Sequence, residues 1–454
     1  MSGQPTREIS IEDTKTGRAQ PLVPRVPGHV GIYACGPTVY SRIHIGNARP
    51  FVVFNLLKRF LEHEGYAVDL VVNVTDVNDK IYDAAKAAGR PSGELAAEMT
   101  AHYKADTDAL GLGRPDHEPL ASETMGPIVS YIETLIERGN AYAAGGDVHF
   151  RVRSDPGYGS LSHRQVDDMD QGEGVEGAER KEDPLDFALW KARKEGEDTY
   201  WPSPWGDGRP GWHIECSAMA EQLLGTGFEI HGGGSDLVFP HHENEAAQTR
   251  CARGEELAAI WMHNGMIQAT GEKMAKSVGN IALLSEVVAE HGAETVVMYL
   301  ISGHYRQPLA FSPDTLQQAA ANIRRIREAA RRLEPGESSS GELSPQRDAF
   351  FDALADDFNT PAALAQLNEW LRGAARLEVT GDAHLREMLS VIGLESLLER
   401  PEDAPEDVVE LAKERVSARA QRDFEASDRL RDEIAARGWE VRDAADGFEL
   451  LPLS

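Results

Sequence analysis

Cys216, His241 and Glu245 lie in one stretch that also carries His-Gly-Gly-Gly-Ser-Asp-Leu at 231–237 and Phe-Pro-His-His-Glu-Asn-Glu at 239–245. With Pro240 as a first-turn residue, the pattern predicts a helix over 240–252. On it His241 and Glu245, four positions apart, share a face. One imidazole, one carboxylate and the Cys216 thiol, joined by one more soft donor from elsewhere, suit tetrahedral zinc. The glycines after a short strand at 228–230 read as a loop where backbone lies close to a ligand. Glu243 and His242 point to other faces of the helix and read as surface or supporting residues, and Cys251 as a small buried hydrophobe.

Two further stretches have phosphate chemistry in them. His44-Ile45-Gly46-Asn47 stands between a strand and a helix, where free backbone N–H groups and the helix dipole favour phosphate. Gly46 lets a nucleotide approach the backbone, and His44 can donate to phosphate oxygens. Lys273-Met274-Ala275-Lys276-Ser277 places two lysines where they can neutralise charge developing at an α-phosphate. Taken singly, a histidine before a helix is more often a cap, and a Lys-x-x-Lys is more often an exposed basic loop. Their order raises both, since the first opens a nucleotide fold and the second follows its last strand.

The elements that must position these residues are legible. Residues 29–37 read as a strand ending at Cys35 and Gly36. A helix then runs to Glu64 on an apolar stripe of Val53, Leu56, Leu57, Phe60 and Leu61, and Gly65 ends it. Residues 68–74 form a buried parallel strand. This strand–helix–strand unit predicts an α/β fold: a doubly wound parallel, Rossmann-type sheet that binds ligands at strand carboxyl ends. Its halves are expected at 1–122 and 212–268, split by an insertion at 123–211 that includes a strand at 148–152. A strand at 260–268 leads into the lysine region, 269–315. An α-helical bundle follows at 316–400, interrupted by a flexible Gly/Ser/Glu-rich stretch at 335–345. A small α+β module closes the chain at 405–454, with helices at 406–420 and 423–436 and strands at 439–442 and 448–451.

The 454 residues suffice for several domains, and three cysteines are too few for a disulfide framework, which predicts a reducing cytoplasm. No apolar run approaches membrane-spanning length, and residues 1–27 are polar without a signal-peptide core. A net charge of −29 argues weakly against nucleic acid, although Arg324, Arg325, Arg327, Arg331 and Arg332 cluster on one helix. By itself that cluster reads as a solvated face.

The His44 and Lys273 stretches together resemble the two signatures of class I aminoacyl-tRNA synthetases. Tyr33-Ala34-Cys35-Gly36-Pro37-Thr38-Val39-Tyr40, the run 210–216, the run from His231 to Glu245, and Asp356-Asp357-Phe358-Asn359-Thr360-Pro361 resemble the cysteinyl-tRNA synthetase family over nearly the whole chain. The resemblance implies Cys35, Cys216, His241 and Glu245 as ligands of one zinc, and Trp212 as the aromatic of the amino-acid pocket. It implies an ATP site formed by Thr38, His44, Gly46, Asn47, Gly233, Asp236 and Lys276, with His44, Lys273 and Lys276 catalytic and Mg²⁺ accompanying ATP. It also implies a cytoplasmic monomer that joins L-cysteine to tRNA(Cys), with stem contacts from 269–315, tRNA binding by the bundle and anticodon binding by the last module. Three positions depart from the family: Asn47 replaces the usual histidine, Ala275 the usual serine, and Asn78 the more frequent aspartate.

Two rival functions share much of this pattern. A mycothiol-type cysteine ligase has the nucleotide fold and most of the zinc segment but no anticodon to read; the long helical C-terminal third and Glu245 favour a synthetase. An inactive RNA-binding paralogue would have no use for His44, Lys273 and Lys276. In the C-terminal module Trp439 and Phe448 offer aromatic faces to unpaired bases, or else serve as core of a small domain.

Overall fold

The computed structural model describes residues 7–169, 178–269, 272–273, 282–399, 404–444 and 447–452. The chain forms two compact units, Met1–Glu395 and Ser396–Ser454. The first is built on four parallel strands, β1 (His29–Ala34), β2 (Ala67–Val72), β7 (Phe228–Gly234) and β8 (Ala258–Asn264), in the order β8-β7-β1-β2. Helix α1 (Ile45–His63) makes the crossover from β1 to β2, and Val53, Leu56, Leu57, Phe60 and Leu61 are all buried on it. The doubly wound parallel sheet expected from the strand–helix–strand pattern is therefore present.

Between β2 and β7 the chain leaves the sheet. Helix α2 (Met125–Glu137) and strands β3 (Ala141–Ala144), β4 (Asp147–Phe150), β5 (Phe187–Ala192) and β6 (Gly208–Pro210) form a separate antiparallel layer. Its core of Ile128, Ile132, Leu135, Val148, Phe150 and Trp190 continues onto Ala218 and Ala247 of helices α3 (Trp212–Leu224) and α4 (Glu243–Arg253). The strand expected at 148–152 stops at Phe150, because Val152 enters a short 3-10 turn whose N–H is taken by Asp186 at 3.0 Å.

Three other expectations change. Gly232, Gly233 and Gly234 are part of β7 and not a loop; a Cβ on Gly232 would come within 2.1 Å of the Met262 carbonyl, so close strand packing requires the glycine. The run 260–268 divides at Gly265 into β8 and β9 (Ile267–Ala269), which lie in different sheets. Strand β9 pairs with β10 (Glu272–Lys273) and with β11 (Leu309–Phe311). The stretch 335–345 is tied down: Gly336 N–H donates to Asp382 at 2.9 Å and Ser340 N–H to Thr380 at 3.0 Å.

Helices α5 (Pro313–Ala330), α6 (Ser344–Ala355), α7 (Thr360–Ala374) and α8 (Ala383–Val391) follow. The α6–α7 turn explains the Asp-Asp-Phe-Asn-Thr-Pro run. Asn359 caps α7, and Asp357, at φ +58°, accepts from Glu12 N–H (2.8 Å), Tyr305 Oη (2.6 Å) and Arg306 Nε (2.7 Å). In the second unit, helices α9 (Glu406–Ala420) and α10 (Phe424–Ala436) pack with a hairpin of β12 (Trp439–Ala444) and β13 (Gly447–Pro452) around Val408, Ala412, Ile434 and Val441. Trp439 and Phe448 pack against this core, and Phe424 is the aromatic that is 63% exposed.

The carboxyl end of α1 is fastened to the bundle by His63, which stacks on Phe351 at 4.1 Å and bonds Glu64 (3.0 Å) and Glu387 (2.9 Å). Burial opposes its charge, but the bonds to Glu387 and Glu64 outweigh burial and raise its pKa to about 9. A folded value above the unfolded one, about 6.5, means that the protonated ring stabilises the fold. That stabilisation is complete below about pH 6.5 and is lost as pH rises through the folded value. His63→Gln should therefore lower the melting temperature by several degrees at about pH 6 and by much less at about pH 10. Equal losses in calorimetry at both pH values would refute this.

Candidate active site

Cys35 follows β1 at its carboxyl end, Cys216 lies in the second turn of α3, and Glu245 in the first turn of α4. The helix begins at Glu243, later than Pro240 predicted, because Val238–His242 forms a wider turn with Phe239 extended (φ −138°, ψ 133°). His241 closes that turn and still faces Glu245, Nε2 to Oε1 3.0 Å. The two sulfurs are 3.8 Å apart, and Cys35 Sγ lies 3.7 Å from Glu245 Oε1. Two thiolates each about 2.3 Å from one zinc stand about 3.8 Å apart across a tetrahedral angle, so the observed spacing fits that ion.

The surroundings of the four donors were only partly foreseen. His242 and Glu243 are fully buried, as the supporting role and not the surface one requires: His242 packs among His231, Trp261 and His263, and Ser162 of the inserted layer bonds Glu243. His242 Nε2 lies 3.3 Å from Cys35 Sγ, and its Nδ1 is 2.7 Å from His263 Nε2. His242 thus joins Cys35, His241 and Glu245 in a group whose potential ligand atoms lie within 4.8 Å of one another. His231 bonds the Tyr33 carbonyl (3.1 Å) and Glu245 Oε2 (3.0 Å), turning Oε1 toward the sulfurs; His213 Nδ1 meets His241 Nδ1 at 2.9 Å. Such partners orient metal ligands. The available signal was density: five of the 15 histidines fall between 213 and 263.

Ionisation follows from this packing. Burial pushes the Cys35 thiol well up, with Cys216 and Glu245 adding to the rise. The Cys216 thiol is lowered to about 6 by its hydrogen bond from Cys35, helped by His241, against burial. Burial would raise Glu245, but His231 and His241 bring it down to about 2. Burial would lower His241, but Glu245 and Cys216 raise it to about 10. A shared proton between the thiols is what a divalent cation displaces, making both sulfurs donors.

The remaining candidates sit around this cluster. Trp212 stacks on His241 with ring centroids 4.1 Å apart. Gly233 is buried, a Cβ there falling 3.5 Å from both Cys35 and His242, whereas Asp236 is exposed in the turn Ser235–Leu237. Thr38 bridges to Thr75 beyond the end of β2. His44 caps α1: its Nδ1 accepts Gly46 N–H (3.1 Å), and Asn47 Oδ1 accepts His44 N–H (3.2 Å). A Cβ at Gly46 would meet that imidazole at 2.8 Å, so the glycine first makes room for the cap. Asn78 caps the helix Asp79–Ala88 by accepting Lys80 N–H, a task that aspartate performs equally well. Lys273 is described as part of β10, and Lys276 and Ala275 lie outside the described residues.

The inserted layer holds α4 by hydrogen bonds as well as apolar contact. Tyr158 Oη donates to Asn244 Oδ1 (2.5 Å), Ser162 N–H and Oγ–H to Glu243 Oε2 (2.8 and 2.9 Å), and Tyr131 Oη to Thr249 Oγ1 (3.0 Å). Arg250 on the same helix pairs with Asp155 at 2.6 Å.

Comparison with known proteins identifies the family. The model of the tRNA synthetases class I (C) catalytic domain matches residues 21–321, and that of the DALR domain matches 349–394. The cysteine–tRNA ligase of Halorhodospira halophila is 46% identical over 457 residues, covering 97% of this chain and 98% of that protein. That of Pseudothermotoga lettingae is 44% identical, covering 93% and 94%. Mycobacterium tuberculosis methionyl-tRNA synthetase in complex with methionyl-adenylate superposes with a TM-score of 0.59 at 15% identity, covering 82% of this chain and 89% of that one, a likeness of fold.

The donor set predicts one zinc per chain. Cys216→Ala should weaken zinc binding by more than about 100-fold, and His231→Gln, which only orients Glu245, by about 10- to 100-fold. Chelator competition read by metal analysis checks both; unchanged affinity in Cys216→Ala would remove that residue from the site.

Proposed function

The chain belongs to the cysteine–tRNA ligase family of class I aminoacyl-tRNA synthetases, and from that premise we propose that it activates L-cysteine as cysteinyl-adenylate and transfers the acyl group to tRNA(Cys). The observation that carries the reading is the meeting of Cys35, Cys216, His241 and Glu245 at the carboxyl ends of β1 and β7. Ligands of doubly wound sheets bind at such ends. When bound there, zinc would supply a soft acceptor that prefers a thiolate to a neutral hydroxyl. A plain pocket separates near-isosteres by only about 10²-fold, which is why we assign the metal to selection of cysteine over serine.

In the first step the amino-acid carboxylate attacks the α-phosphorus of ATP, held with Mg²⁺, and pyrophosphate leaves. In the second, the terminal ribose 2′-hydroxyl of the tRNA takes the acyl group and AMP leaves. The protein's part is positioning and charge stabilisation. Trp212, stacked on His241, walls the amino-acid pocket. With Nδ1 of His44 engaged by Gly46 N–H, Nε2 is the nitrogen that carries the proton toward phosphate. Lys273 and Lys276 neutralise charge at the α-phosphate, and Thr38, Gly46, Asn47, Gly233 and Asp236 line the nucleotide site.

For the tRNA we assign the helical bundle and the second unit. A groove of about 360 Å³ between α5 and α7 is rimmed by Arg325, Arg332 and Arg372, cations suited to a phosphate backbone, with Glu328 and Glu378 beside them. We assign base stacking in the second unit to Phe424, since Trp439 and Phe448 pack on the core. Among the described residues no helix is long and apolar enough to cross a membrane.

The reading is tested by cysteine-dependent ATP–pyrophosphate exchange and by charging of tRNA(Cys) transcripts with cysteine against serine; absence of both reactions ends it. Lys276→Ala should slow single-turnover adenylate formation by about 100-fold or more with little change in cysteine affinity. Phe424→Ala should raise the KM for tRNA by about 10-fold, the cost of one base stack, and leave pyrophosphate exchange intact. Equal exchange and charging kinetics in that variant would exclude the stacking role.

A further inference from the structure

Arg49 lies in α1 soon after His44 and Asn47, and its side chain is wholly buried. Its Nη1 donates to the carbonyls of Gly265 (2.6 Å) and Gln307 (2.7 Å), and Nη2 to that of His304 (2.9 Å). These three acceptors are backbone dipoles. Desolvation lowers its pKa to about 10, so the group stays a cation at neutral pH. Among the described residues no carboxylate pairs with it; such a buried cation is costly, and its geometry shows what it organises.

Gly265 is the hinge between β8 and β9, and β9 runs straight into the stretch carrying Lys273 and Lys276. The residues 304–307 precede β11, the strand that pairs with β9. Arg49 therefore fixes both β9 and its partner to the helix that bears the first signature. The far end of the lysine stretch is fastened to the same helix by backbone bonds: Ile45 N–H to the Ala282 carbonyl (3.0 Å) and Leu284 N–H to the Ile43 carbonyl (3.1 Å), with His44 bridging Leu283. Entry and exit of the second signature are thus both referenced to the first turns of α1.

We propose that Arg49 is a positioning residue for the adenylation step, setting β9, and with it β10 that carries Lys273, relative to His44 through the Gly265 and 304–307 carbonyls. The inference rests on ATP being activated at this site. Arg49 does not touch substrate; it acts through the backbone it holds. A displacement of about 1 Å at reacting groups costs on the order of 100-fold in rate, so the effect should appear in the chemical step and not in cysteine binding.

The test compares wild type, Arg49→Lys and Arg49→Met for single-turnover adenylate formation, cysteine affinity, zinc content and melting temperature. Arg49→Met should lose about 100-fold in rate while cysteine affinity and zinc content stay within about threefold of wild type. Arg49→Lys keeps the charge but lacks the planar fork, and should recover about 10-fold of that loss. Absence of adenylate formation in wild type would defeat the functional reading. An active wild type with a fully active Arg49→Met, or with rate, affinity and zinc content falling together, would defeat the role given to Arg49. Should Arg49→Met not fold, Arg49→Lys decides alone: a rate about 10-fold down at unchanged cysteine affinity is expected, and a wild-type rate overturns the proposal.

Discussion

Two thiols and a carboxylate in mutual contact, shut away from water, repel one another as soon as they ionise, and the chain spends much of its polar interior on making that contact tolerable. His231 and His241 hold Glu245 ionised, and His241 stabilises the Cys216 thiolate. Cys35 is left with its proton favoured by burial. The site's mixture of sulfur, imidazole and carboxylate donors is of the kind that suits zinc. The cluster stands at the carboxyl ends of β1 and β7, where doubly wound sheets bind their ligands.

That cluster draws on three layers of the protein. The parallel sheet supplies Cys35 and His231, α3 supplies Cys216 and Trp212, and the turn before α4 supplies His241. None of these segments alone carries a complete set, so the site exists only in the assembled unit. The nucleotide side is built likewise from α1 and the segments that Arg49 and the Ile43–Leu284 bonds attach to it.

Much of this was legible in the residues because each local pattern agreed with its surroundings. The apolar stripe of α1, the continuous apolar run of β2 and the i,i+4 relation of His241 to Glu245 have single structural solutions. Where the reading failed, a contact distant in sequence decided the outcome. Glycines at 232–234 suggest a loop until the Met262 carbonyl is seen to need their space, and Gly265 looks like strand until its neighbours at 304–307 are placed. A helical wheel leaves His242 and Glu243 between surface and supporting roles; His231, Trp261 and His263 around His242, and Ser162 of the inserted layer at Glu243, make both of them supporting. Arg49 gave no local signal, since its partners are backbone carbonyls that no pattern of residue types encodes. The 335–345 stretch has a linker's composition, yet Thr380 and Asp382 pin it.

The bonds from Tyr158, Ser162 and Asp155 onto α4 bear on how this architecture can be remodelled. Interrupting segments are commonly regarded as modules that can be shortened or exchanged without touching the parent fold. Here excision would take away the partners of the Asn244 amide and the Glu243 carboxylate and open the apolar face of α4 to water, one and two positions from Glu245. Size changes in this region are therefore confined to its outer loops, while the face against α4 must co-vary with the helix it covers.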